Sequence, residues 1–98
     1  MLVVFAFDEE LEDIDIVDMP INTIDDLEEE QKEFFEWLFN KDNNHEYWII
    51  RNGEKTTCSY DSRAFVKWFD EKKQGAEKAM IVEQYAKKKI EDMPILYF

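Results

Sequence analysis

Residues 45–60 read His-Glu-Tyr-Trp-Ile-Ile-Arg-Asn-Gly-Glu-Lys-Thr-Thr-Cys-Ser-Tyr. Asn52-Gly53 stands between two strand-like runs, 45–51 and 54–60. Asn-Gly is the favoured pair for a type I′ turn, in which both central residues take positive φ. A two-residue turn fixes the register. Arg51 is then expected opposite Glu54, Ile49 opposite Thr56, Tyr47 opposite Cys58 and His45 opposite Tyr60. These residues share one sheet face, read as the core side, while Trp48, Ile50, Lys55 and Thr57 share the other.

Upstream of this hairpin, residues 24–40 carry helical periodicity. Thr23 serves as N-cap, and Asp25, Asp26 and Glu28 to Glu30 sit at the positive end of the dipole. At 100° per residue, Ile24, Leu27, Gln31, Phe34, Phe35 and Leu38 fall on one face. Asp26, Glu29, Glu30, Glu33 and Glu36 fall opposite, and Trp37 projects toward that acidic side, off the apolar stripe.

Further upstream, residues 2–7 form a continuous apolar run of strand length, as expected of a strand covered on both faces. After an acidic turn, 13–18 alternates like a half-buried strand, and Pro20 ends it. The two are expected to form a hairpin. Downstream, Asp61 or Ser62 caps a second helix over 62–73, with Ala64, Phe65, Trp68 and Phe69 as its stripe. Lys72 and Lys73 suit its negative end, and Gly75 suits the position just beyond it. Residues 76–91 read as a third helix with Ala79, Val82, Ala86 and Ile90 aligned. Met80-Ile81-Val82 offers a strand start as the alternative. Residues 94–98 read as a closing strand. The order ββαββααβ implies one α+β domain over 1–98, with a small mixed or antiparallel sheet and helices packed on one face.

The chain has 98 residues, 45% of them hydrophobic and 15% aromatic, which sets it apart from disordered chains despite a net charge of -12. No apolar run approaches the roughly 20 residues that span a bilayer, so no membrane association is expected. The apolar start lacks a basic flank and reads as a strand, not a signal peptide. Cys58 is the single cysteine, so no internal disulfide forms, and a cytosolic setting in a bacterium or an infected cell is expected.

Charge is polarised. Residues 1–50 hold sixteen acids and two lysines, while residues 51–98 hold eight acids and ten Lys or Arg. Such a field attracts basic surfaces and repels nucleic acid. The lysine run 87–89 complements a helix C-terminus, and direct nucleic-acid binding is not expected.

The sequence tests poorly for chemistry. Both glycines are spent on a turn and a cap, and no phosphate-cradling Gly-rich loop remains. Asp8, Glu9, Glu10, Glu12, Asp13, Asp15 and Asp18 are carboxylates of the kind that bind Ca²⁺ or Mg²⁺. Their spacing does not match an EF-hand loop, and they read as a solvated acidic face. His45 and Cys58 lie on one predicted sheet face and make a conceivable Cys–His pair. The plainer reading is a buried apolar thiol and a strand-end imidazole. Accordingly no catalytic residue, metal or cofactor is assigned.

What remains is binding. The leading expectation is a non-enzymatic module that presents Asp26, Glu29, Glu30, Glu33 and Glu36, with Trp37, to a partner protein with a basic surface. In size and charge the chain resembles the small acidic DNA-mimic proteins of phages and mobile elements, among them anti-restriction and anti-CRISPR inhibitors. That resemblance is compositional and implies a partner that itself binds nucleic acid. The alternative class is an immunity- or antitoxin-like protein, or an assembly subunit, that meets its partner through apolar contacts around Trp48 and Ile50.

Overall fold

The computed structural model describes residues 1–72, 79–82 and 90–98. Its elements follow the order β1 (Leu2–Ala6), β2 (Ile14–Asp18), α1 (Ile24–Leu38), β3 (Trp48–Arg51), β4 (Glu54–Cys58), α2 (Ser62–Lys72), β5 (Met80–Val82) and β6 (Ile95–Tyr97). The class is α+β, and the main sheet is mixed.

That sheet runs β5-β2-β1-β6. β1 and β2 form the expected antiparallel hairpin, with Val3 opposite Val17 and Val4 opposite Ile16. Their connection is organised by Asp8, whose carboxylate accepts the backbone N–H groups of Glu12 (3.0 Å) and Asp13 (2.8 Å). Leu11 turns the chain with φ of 58°. β6 lies parallel to β1 and β5 antiparallel to β2, so the first strand becomes an interior one.

Register decides which side chains meet the helices. Val3, Phe5, Asp15, Val17 and Leu96 share one face, because directly paired residues project to the same side. Leu27, Phe34 and Leu38 of α1 and Phe65 and Phe69 of α2 join Val3, Phe5, Val17 and Leu96 in one buried cluster, so both helices pack on this face. The opposite face is also covered at its centre: Val4, Ala6 and Ile16 are fully or almost fully buried. Alternation in 13–18 therefore does not mark a half-buried strand. Ile16 and Val17 are both buried, and Asp15 turns inward because the Ser62 hydroxyl, itself buried, donates to its carboxylate.

The helices form for the expected local reasons. The Thr23 hydroxyl accepts the Asp26 N–H at 3.2 Å, and the Asp61 carboxylate accepts that of Ala64 at 3.1 Å. Gln31, on the inward stripe of α1, donates through Nε2 to the Tyr97 carbonyl at 2.7 Å and ties the helix to β6. Phe34 is the centre of the aromatic core, with the rings of Phe65 at 5.3 Å, Trp68 at 5.6 Å and Tyr60 at 5.9 Å.

Three expectations need correction. First, β3 and β4 pair around the Asn52-Gly53 turn, whose φ values of 53° and 77° fit type I′. Arg51 faces Glu54 and Ile50 faces Lys55, but the register then slips, so Ile49 faces Thr57 and Trp48 faces Cys58. The extra residue is Thr56, whose hydroxyl donates to the Ile49 carbonyl at 2.9 Å, as in a β-bulge. Second, the strands are shorter than 45–51 and 54–60, and His45 precedes β3 instead of pairing with Tyr60. Third, Met80–Val82 is a strand, not part of a helix over 76–91, because the open edge of β2 takes it up. Ile90 has helical backbone. Lys73, Gly75, Ala86 and the lysines 87–89 lie outside the described residues.

Candidate functional site

Among the five acids assigned to the outer face of α1, Asp26, Glu29, Glu33 and Glu36 are exposed and Glu30 is half-buried. Asp25 and Glu28 are exposed beside them. Two of the five do not stand alone. Lys72, from the last turn of α2, reaches Glu30 at 2.9 Å and also pairs with Glu33. Its ammonium lies 5.0 Å from the centroid of the Trp68 ring. The acidic face is thus clamped to α2 midway along its length and open at both ends.

Trp37 is half-buried, a correction to its expected projection away from the core. Its ring lies 6.1 Å from Phe34 and 4.8 Å from the His45 imidazole. Trp48 is also engaged within the fold. It stacks on His45 at 5.0 Å with planes 7° apart, donates through Nε1 to the Asn43 carbonyl at 2.7 Å, and carries Lys55 on its ring. Ile50 alone of the apolar trio remains largely open, at 61% exposure.

His45 organises this region. Its Nε2 lies 2.7 Å from the Leu38 carbonyl, which can only accept, so Nε2 carries the proton. Its Nδ1 accepts the Tyr47 N–H at 3.2 Å. Both ring nitrogens are used by one neutral tautomer. Cys58 donates from Sγ to the same Leu38 carbonyl at 3.4 Å. The two side chains converge on the end of α1 and join it to the hairpin. Burial pushes the Cys58 thiol up, away from the thiolate that nucleophilic chemistry needs. This arrangement acts as a structural clamp.

A cleft of about 300 Å³ opens between these elements. Trp37 supplies the wall from α1. His45, Glu46 and Tyr47 line it from the connection before β3. Ala64, Lys67, Trp68 and Glu71 line it from α2, at the spacing that places residues on one helical face. Lys67 pairs with Glu46 at 3.4 Å, both side chains well exposed. That contact holds the Lys67 proton more firmly than usual, and burial raises the Tyr47 hydroxyl. No sequence periodicity isolates this cleft, because its walls come from three separate segments.

Among the described residues, no three His, Cys, Asp or Glu side chains gather to hold a metal ion, and no helix is long and apolar enough to cross a membrane. A scan against protein-family models and searches of curated proteins and of solved structures return no match.

Proposed function

We propose that this protein is a non-enzymatic binding module whose α1 carboxylates dock on a cationic surface of a partner protein, standing in for nucleic-acid phosphates. The observation that carries this reading is the charge density of the helix. Between Asp25 and Glu36 there are seven carboxylates, and among the described residues Lys32, on the same helix, and Lys72, reaching Glu30 and Glu33, offset two of them. Five net charges over a rise of about 16 Å is one per about 3.3 Å. One strand of duplex DNA carries one charge per about 3.4 Å. A protein surface built to hold a phosphate row meets a comparable field here. Long-range attraction then speeds encounter, and aromatic contacts at the Trp37 end supply short-range hold. A phage or mobile-element inhibitor of a nucleic-acid-binding protein is the specific form of this proposal.

The test is a titration with a lysine-rich peptide at low and high salt. The wild-type chain is compared with a triple Asp26→Asn, Glu29→Gln, Glu36→Gln variant and with a Glu9→Gln, Glu10→Gln, Glu12→Gln control. Affinity is expected to fall steeply with salt and to fall further in the α1 variant than in the control. Equal losses in both variants, or affinity insensitive to salt, would sink the proposal.

A further inference from the structure

The cleft between α1 and α2 combines two features that the acidic face of α1 lacks. It is lined by three aromatic side chains, Trp37, Tyr47 and Trp68, and by two carboxylates, Glu46 before β3 and Glu71 on α2. Against these stands one ammonium among the described lining residues, Lys67, while the Lys72 ammonium over the Trp68 ring is taken up by Glu30 and Glu33. His45 adds no charge in the tautomer its hydrogen bonds require. The local balance therefore favours a cation over an anion. The protein also already uses its tryptophans as cation platforms: Lys72 sits over Trp68 and Lys55 over Trp48. A guanidinium suits such a place better than an ammonium does. It is planar, weakly hydrated, stacks on aromatic faces, and presents a fork of donors to a carboxylate.

We propose that this cleft receives an arginine side chain of the partner, packed against its aromatic lining and hydrogen-bonded to Glu46 or Glu71. The inference rests on the binding proposal in taking the partner to be a cationic protein. It adds a specific anchor beside a diffuse field. Lys67 opposes the guest and limits affinity for an isolated arginine.

The three indole N–H resonances give a direct readout in the full-length chain. N-acetyl-arginine amide is expected to shift the Trp37 and Trp68 signals saturably and leave Trp48, bound to Asn43, unmoved. The neutral citrulline counterpart is expected to do neither. Glu71→Gln should weaken the arginine probe about two- to fivefold, and Lys67→Met should tighten it about two- to fivefold, the range of an exposed charge pair. Equal shifts with citrulline, shifts with inorganic phosphate instead, or no shift at Trp37 and Trp68 would each overturn the proposal. If the lysine-rich peptide still binds with steep salt dependence while the arginine probe leaves the cleft signals unmoved, only the cleft inference falls. If neither binds, both fall.

Discussion

Replacing Lys72 with methionine is expected to destabilise the fold and strengthen binding of a cationic peptide at the same time. The methionine keeps most of the stem and its packing against Trp68, so the change removes mainly the charge. Lys72 serves two carboxylates and one ring, and its side chain is 33% exposed against 15% for Glu30 and 53% for Glu33. An exposed ion pair contributes about 0.2–1 kcal/mol. A cation on an aromatic face contributes about 0.5–1 kcal/mol. With screening taken into account, the loss is about 1–2 kcal/mol. For a domain of this size that lowers Tm by roughly 4–16 °C. Thermal unfolding followed by circular dichroism measures it. At about 1 M salt the Debye length shrinks to about 3 Å, so the gap between variant and wild type narrows. Meanwhile the α1 belt gains one net negative charge, and the lysine-rich peptide binds more tightly at low salt. A variant that melts with wild type, or whose Tm gap ignores salt, refutes the clamp. A variant that melts lower yet binds the peptide no better refutes the part played by Glu30 and Glu33 in binding.

Other perturbations separate the remaining structural claims. The Asp8 carboxyl is held below its ordinary value of 3.8, chiefly by the N–H groups of Glu12 and Asp13. Its contribution is therefore complete above the unfolded value and is lost as pH falls through the lower folded one. Asp8→Asn should reduce the drop in urea midpoint between about pH 5 and about pH 3. Cys58 should react with iodoacetamide far more slowly in the native chain than in urea, since the thiol is buried and its proton tightly held; equal rates would place it at the surface. Gly53→Ala should cost about 1–2 kcal/mol in urea unfolding through backbone strain alone. The glycine has φ of 77°, and a Cβ there would meet nothing within 4 Å.

The elements whose signals are local were legible. Thr23 and the spacing of Leu27, Phe34 and Leu38 define α1, and Asn52-Gly53 defines the hairpin turn. What escaped depends on partners distant in sequence. Met80–Val82 lies among good helix formers, and only the free edge of β2 makes it a strand. The Thr56 bulge follows from a hydroxyl reaching the Ile49 carbonyl, for which a threonine pair in a strand gives no warning. The acidic face of α1 was readable from angular position, but the reach of Lys72 across to Glu30 and Glu33 was not, since helix-to-helix contacts have no local code. Trp37, placed off the stripe by the same angular reasoning, is half-buried because His45 turns back to Leu38 and puts an imidazole against it. The same turn closes one side of the cleft.

Parallel pairing of β1 with β6 has a kinetic consequence. Val4 meets Ile95 across nearly the entire sequence, whereas β1 and β2 close a short hairpin. Joining the distant strand exacts the larger loop-closure entropy, and domains dominated by such pairings fold in milliseconds to seconds, not microseconds. The hairpins and α1 are therefore placed to form early, with seating of β6 beside Phe5 as the late step. Until then the interior strand of the finished sheet is an open edge, and that interval is when two unfinished molecules are most prone to pair with each other.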